Sequence, residues 1–322
     1  TPKPSSAASD VYKRQFDDGA EAIRKARALH RSHGTTRSVI SLVTAPVDAL
    51  AQRVAEIADL METDADILGS HLEGPFLDPA HHGAHEPTLL LAPARDDVAR
   101  LLDAGRGTIR QVTIAPELPG GLDAIRLIVD AGAVAAVGHT SADAETAVAA
   151  FDSGATVLTH AFNAMPGIHH RAPGPVLAAA GDRRVVLEVI ADGVHLDPHV
   201  IKLVFDSAPG RVALVTDAMA AAGSADGHYD LGAVSVTVED GVARADDTGS
   251  IAGSTLTQDD ALRRAVAAGA PLTEAVRALT ETPAAAIGYG DRLGRLAVGY
   301  IGDAVLMDAQ LQVVRVWVGD RP

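Results

Sequence analysis

The chain has 322 residues, 27 Lys+Arg against 42 Asp+Glu for a formal net charge of -15, and no cysteine. The acidic balance speaks against nucleic acid or an anionic membrane as a partner, since a phosphate surface repels it. The missing thiols exclude disulfides, thiolate metal sites and cysteine nucleophiles. Aromatic residues are 3% of a chain that is 47% hydrophobic, so the core must be built from Ala, Val, Leu and Ile. No apolar run approaches the ~20 residues that span a bilayer, and no charged-then-apolar leader opens the chain; a cytoplasmic protein is the expectation.

Residues 1–15 are polar and without period, and are expected to be a non-native or disordered leader. From Phe16 the pattern changes. Ala22, Ile23, Ala26 and Leu29 fall at helical spacing within Asp17–His33, and Leu50, Val54, Ile57 and Leu60 do so within Val47–Glu62. Strand-like apolar runs appear at Ser38–Val43, Ile67–Glu73, Ile109–Ala115, Ala133–Gly138, Thr156–His160, Val185–Ala191 and Val212–Thr216. Helical stretches separate most of them, over Asp96–Ala104, Gly121–Ala131, Ala142–Ser153, Pro173–Gly181 and Asp197–Ala208. Near-continuous apolar strands alternating with helices predict βαβ units and a buried parallel sheet. Seven strands are one short of the eight of a closed (β/α)8 barrel. The expected fold is therefore an α/β barrel of TIM type lacking its first strand. The alternative is an open doubly wound sheet, but no G-x-G-x-x-G loop follows any strand. Further on, Ala233–Val238 alternates as a strand, Asp259–Ala268 and Thr273–Ile287 are helical, and Gly294–Val318 is β-rich, with strands at Ala304–Met307 and Gln312–Val318. The predicted division is 1–15 leader, 16–290 barrel with a β insertion near 229–250, and 291–322 strands of a small appended sheet.

Active groups of a barrel sit at the carboxyl ends of its strands. Here those ends carry Glu73, His139, His160, His195 and Asp217. Taken singly, each has a plain structural reading: a hydrogen-bonded loop histidine, a solvated carboxylate, a helix N-cap. Their joint placement at one end of successive strands favours a metal site. Imidazole and carboxylate suit Zn or Fe, and three ligands, Glu73, His139 and His160, leave a position open, as catalytic sites do. A cation held there would acidify water toward neutral pH, and Asp217 could move the proton. His81-His82 and His169-His170 lie in loops and read as lid surface rather than ligands. Arg171, among Gly and Pro turns, reads either as an anion clamp or as a surface arginine. Ile251-Ala252-Gly253-Ser254 could present backbone groups to a ligand or cap the helix that follows.

The segments HLEGPFL (His71–Leu77), VGHTSA (Val137–Ala142), THAFNAM (Thr159–Met165), ADGVHLD (Ala191–Asp197), LVTDAM (Leu214–Met219) and AGSTLT (Ala252–Thr257) resemble the N-acetylglucosamine-6-phosphate deacetylases of the amidohydrolase superfamily, in the right order and over most of the chain. That resemblance implies a (β/α)8 barrel with a small β-sandwich, hydrolysis of the acetamide of an amino-sugar phosphate, and a divalent cation on Glu73, His139 and His160. It implies Asp217 as the acid/base and His85 as a group that helps polarise the acetyl carbonyl. Asn163, Ala164, Arg171 and His195 would contact the sugar phosphate, Arg171 reaching into the neighbouring subunit of a homodimer. Ala84, Ile251, Ala252 and Gly253 would line the pocket. The superfamily's usual His-x-His on a first strand is missing; His30 and His33 lie on a helix. One ion is thus expected, with a second in doubt. A dihydroorotase-like hydrolase would want a lysine bridging two metals, but Lys3, Lys13, Lys25 and Lys202 all lie away from strand ends. A sugar-phosphate-binding fragment without activity is the other alternative.

Overall fold

The computed structural model describes residues 19–319; the leader of residues 1–15 lies outside the described residues. Helix α1 (Ala20–Ser32) is followed by an alternation of β1 (Ser38–Val43), α2 (Val47–Thr63), β2 (Ile67–Glu73), α3 (Arg95–Ala104), β3 (Ile109–Ile114), α4 (Gly121–Asp130), β4 (Val134–Val137), α5 (Ala144–Asp152), β5 (Val157–Leu158), α6 (Gly174–Gly181), β6 (Val186–Ile190), α7 (Pro198–Ser207) and β7 (Val212–Val215). Each helix buries one stripe. Leu50, Val54, Ile57 and Ala58 do so on α2, and Ala124, Ile125 and Ile128 on α4, the i, i+4, i+7 spacing of an amphipathic helix. Asp143 and Asp197 cap α5 and α7 by accepting from the backbone N–H groups of Thr146 and His199.

The seven strands pair in parallel in simple chain order, β1 to β7. A doubly wound sheet would reverse order at a switch point, so that alternative falls. The sheet curls strongly. In a flat sheet β3 and β6, three places apart, would stand ~14 Å from each other at the usual strand spacing. Yet Gln111 Nε2 on β3 donates to Glu188 Oε1 on β6 at 3.0 Å. Thr113 of β3 and Thr159 beyond β5 likewise meet at 3.0 Å. The result is a TIM-type half-barrel whose terminal strands, β1 and β7, each pair with one strand among the described residues. The core between sheet and helices is aliphatic as composition demands, with Phe76 and Phe151 its largest fully buried side chains.

After β7 comes a three-stranded antiparallel sheet, β8 (Gly227–Leu231), β9 (Val234–Glu239) and β10 (Val242–Ala245), with its own small core. Then follow α8 (Gln258–Ala267), α9 (Leu272–Arg277), α10 (Glu281–Ala286) and the hairpin of β11 (Ala304–Met307) with β12 (Val313–Trp317). The single helix expected over Thr273–Ile287 is two helices. The break puts Pro283 in the first turn of α10, where a missing N–H costs nothing. Strand β5 is shorter than expected because the backbone leaves extended geometry at His160.

Candidate metal centre and active site

Glu73 ends β2, His139 follows β4 and His160 follows β5, and the curl of the sheet brings the three together. Glu73 Oε1 lies 2.9 Å from His160 Nε2 and 3.3 Å from His139 Nε2, and the two Nε2 atoms are 3.0 Å apart. Ligand atoms around a tetrahedral zinc at ~2.0–2.1 Å stand about 3.3 Å from one another. The triangle is therefore already of the size that a small divalent ion spans. All three side chains are buried.

The chemistry of the donors fits a cation. His139 Nδ1–H donates to the His81 carbonyl at 2.8 Å, which leaves the Nε2 lone pair aimed at the centre of the triangle. His160 Nδ1 has no partner among the described residues. Three electron-rich atoms facing one another in a buried place call for positive charge. Burial opposes protonation of His160, yet its bond to the Glu73 carboxylate prevails and lifts it to about 9. Burial likewise opposes ionisation of Glu73, and the two histidines override it and hold the carboxyl well below its ordinary range.

Asp217, just past β7, lines the same cavity. Burial, reinforced by the Glu73 carboxylate, raises its pKa, while His160, His195 and His139 pull the other way. A carboxyl poised upward beside a metal centre is suited to accept and return a proton. His195 Nδ1–H donates to Asp192 at 2.7 Å, and the residue lines the cavity. His85 packs edge-on to His139 with ring centroids 4.6 Å apart, and burial, then the neighbouring His139, presses its pKa down to about 3. Asn163, Ala164, Ala84, Ile251 and Gly253 also line the cavity. The Asn163 amide is turned back on its own turn, donating to the His160 and Ala161 carbonyls at 3.2 and 3.3 Å.

Two expected pocket residues stand elsewhere. Ala252 is fully buried in the core of the β8–β10 sheet, its N–H given to Ala243. Arg171 is exposed in the loop before α6, 2.6 Å from the His170 ring, and is not among the residues lining the cavity of its own chain. His30 and His33 lie at the end of α1, on the far side of the cavity.

Other groups that shape the site escaped the sequence reading. Thr44 directly follows β1 and bonds His85. Asp78 donates its backbone N–H to His139 O at 2.9 Å, and its side chain bonds Ser141 and, at 3.3 Å, His81. Glu117, after β3, accepts from Thr140 and Ser141 at 2.5 and 2.6 Å. Glu188 faces the cavity, pushed up by burial to about 7 although Gln111 bonds its carboxylate. Thr44 and Glu117 sit at strand ends, the one signal that could have found them. The cavity itself is about 2030 Å³ and runs from the metal centre to the open side between β1 and β7.

A half-barrel of parallel strands with a Glu/His/His donor set at their carboxyl ends defines a metal-dependent hydrolase of the amidohydrolase type. The amidohydrolase family profile matches residues 17–321, and the chain belongs to that family. Among its relatives, the N-acetylgalactosamine-6-phosphate deacetylase of Escherichia coli O157:H7 is 37% identical over 94% of this chain and 81% of its own length. The N-acetylglucosamine-6-phosphate deacetylase of Vibrio furnissii is 34% identical over 89% of this chain and 73% of its own. Among solved structures, an aspartate-to-alanine mutant of N-acetyl-D-glucosamine-6-phosphate deacetylase from Mycobacterium smegmatis, in complex with N-acetyl-D-glucosamine-6-phosphate, superimposes with a TM-score of 0.92 at 45% identity, covering 95% of this chain and 81% of that one. The deacetylase of Thermotoga maritima gives 0.86 at 30%, over 92% and 81%.

Proposed function

We propose that this protein hydrolyses the acetamide of N-acetyl-D-glucosamine 6-phosphate to D-glucosamine 6-phosphate and acetate. The observation that carries the reading is the convergence of Glu73, His139 and His160 on a triangle of cation size with Asp217 in the same cavity. The cation would be held by these three side chains, as one ion, with zinc or iron best matched to nitrogen and carboxylate donors. When bound, it supplies Lewis acidity, polarising a carbonyl oxygen and lowering the pKa of a water. His85 donates a hydrogen bond to the acetyl oxygen as charge builds there. Asp217 takes a proton from the attacking water at its carboxylate and delivers it to the amide nitrogen as the C–N bond breaks. Asn163, Ala164 and His195 orient the sugar phosphate, and Ala84, Ile251 and Gly253 belong to its surround, with Ala252 behind them in the core of the β8–β10 sheet.

The outward position of Arg171 supports a homodimer in which this guanidinium serves the neighbouring site as a bidentate phosphate clamp. A cysteine-free chain with no helix among the described residues long and apolar enough to cross a membrane fits a cytoplasmic enzyme of amino-sugar turnover. The hairpin of β11 and β12 reads as part of a small β-sandwich, and residues 16–290 as the barrel.

Acetate release from N-acetylglucosamine 6-phosphate, assayed with its galactosamine epimer and with metal content determined, tests the reading. The expected outcome is turnover that is abolished by chelation, restored by zinc or iron, and faster for the gluco epimer. Ligand binding without stoichiometric metal or acetate release would make the protein an inactive sugar-phosphate binder.

A further inference from the structure

The hydrogen-bonding face of His85 is fixed from one side by a residue outside the metal centre. Thr44 follows β1 directly and is buried. Its backbone N–H points at His85 Nδ1 at 3.4 Å, and its hydroxyl lies 2.8 Å from the same nitrogen. A backbone N–H can only donate, so Nδ1 presents its lone pair. The Thr44 hydroxyl then donates to Nδ1 in preference to the Glu73 carbonyl, 3.3 Å away, because two lone pairs at 2.8 Å would repel. An imidazole that accepts at Nδ1 is neutral and carries its proton on Nε2.

The arrangement is built in from several directions. The loop of His85 is clasped to itself: His85 N–H donates to His82 O at 3.0 Å, and His82 Nδ1–H donates to His85 O at 3.0 Å. The ring abuts His139 on its other side. Gly74, at φ +103, lets the hydroxyl stand where it does, since a Cβ there would overlap Thr44 Oγ1.

We propose that Thr44 is a positioning residue that locks His85 as its Nε2–H tautomer, making His85 a hydrogen-bond donor into the cavity and not a fourth metal ligand. This rests on the reading of His85 as the group that meets the acetyl oxygen. With the opposite tautomer Nε2 would bear a lone pair in place of its proton, withdrawing a donor from the substrate.

The test uses zinc-loaded protein labelled with ¹⁵N-histidine, its His85 resonances assigned by loss in a His85→Gln variant, and long-range proton–nitrogen correlation at neutral pH. The expected result is a protonated Nε2 and an unprotonated Nδ1 in the wild type. Thr44→Val keeps the longer backbone N–H contact but removes the 2.8 Å hydroxyl bond, so it should raise the share of the Nδ1–H form and lower kcat, by up to about the 10²–10³-fold of a lost oxyanion donor, with KM and zinc content unchanged. Thr44→Ser, which keeps the hydroxyl, should restore both spectrum and kcat. An Nδ1–H tautomer in the wild type overturns the proposal, as does a Thr44→Val enzyme with unaltered kcat and spectrum. If the Nε2–H tautomer is found but no acetate is released from any N-acetylated sugar phosphate, the positioning stands and the substrate reading fails.

Discussion

His139, His160 and Asp217 sit at φ +47, +28 and +48, a region that non-glycine residues rarely occupy. Each such residue costs of order 1–3 kcal/mol and persists only where surrounding structure holds it. Here the left-handed turn ends an extended strand and swings the side chain inward at the barrel mouth, which is where a strand-end histidine or aspartate becomes useful. The sequence made these positions legible because strand ends can be found from apolar runs, and chemistry-bearing residues followed five of them. It left Thr44, Asp78 and Glu117 unread because hydroxyls and lone carboxylates are common in loops and their value lies in what they touch. At this scale Asp217 gives a sharp expectation. Asp217→Asn preserves the volume and leaves Glu73, His139 and His160 intact, so metal content should stay at the wild-type level. It cannot take or return a proton, so turnover should fall about 10²–10⁴-fold, measured as acetate release beside metal analysis. Near wild-type activity would remove Asp217 from the reaction.

Among the elements, periodicity located every strand of the barrel and most helices, since parallel strands buried on both faces and one-sided helices leave strong patterns. What it missed were interruptions set by single residues: the end of β5 at His160 and the helix break ahead of Pro283. It also could not show how closely strands pack inside the curl. Gly138, between β4 and His139, has Thr159 and Thr113 against it, so that a Cβ would meet Thr159 Cβ at 2.7 Å and Thr113 Cγ2 at 2.9 Å. Gly138→Ala should therefore force β3 and β5 apart, costing about 1–3 kcal/mol by overpacking, and weaken zinc binding with it. Thermal unfolding and zinc titration check both; a stable variant with wild-type zinc affinity would show that the strands give way freely. Helices α1 and α8 are joined by Asp259, whose buried carboxylate accepts from Thr257 at 2.7 Å and Arg263 at 3.0 Å and meets His33 at 3.0 Å. Burial alone would raise its pKa, but the hydrogen bonds of Thr257 and Arg263 and the charges of His33 and Arg263 lower it instead. A carboxyl depressed in the folded state stabilises above the unfolded value of ~3.9 and loses that contribution as pH falls through the folded one. The difference in urea midpoint between wild type and Asp259→Asn should thus shrink from its value at about pH 5 as pH falls below ~3.9. A difference that does not change with pH would mean that the ionised carboxylate is not what joins the helices.

For the whole molecule, composition fixed the character of the core but could not foretell how much apolar surface would stay uncovered. Strand runs say which residues pair, not whether the last strand finds a neighbour. Among the described residues β1 and β7 each pair with a single strand, β7 giving its Leu214 N–H to the Ala278 carbonyl, and several apolar side chains stand exposed in the C-terminal region. Val298 and Leu296 are 105% and 77% exposed, and Val314 and Leu306 in the β11–β12 hairpin are 59% and 49% exposed. Exposed apolar groups on a short hairpin and in the segment before it invite association. The net charge of -15 opposes this at low ionic strength, and salt screens the opposition, with a Debye length of ~10 Å at 0.1 M. Self-association should accordingly rise with salt. Replacing Val298 and Val314 together by lysine should suppress it, while thermal stability moves by no more than about 0.5 kcal/mol, as for surface substitutions elsewhere. Light scattering behind size exclusion, run at low and high salt, reads the effect, and zinc content should be untouched because neither valine borders the metal centre. If the double variant associates as the wild type does at every salt concentration, the apolar C-terminal face is not the contact, and the loop carrying Arg171 becomes the surface to alter next.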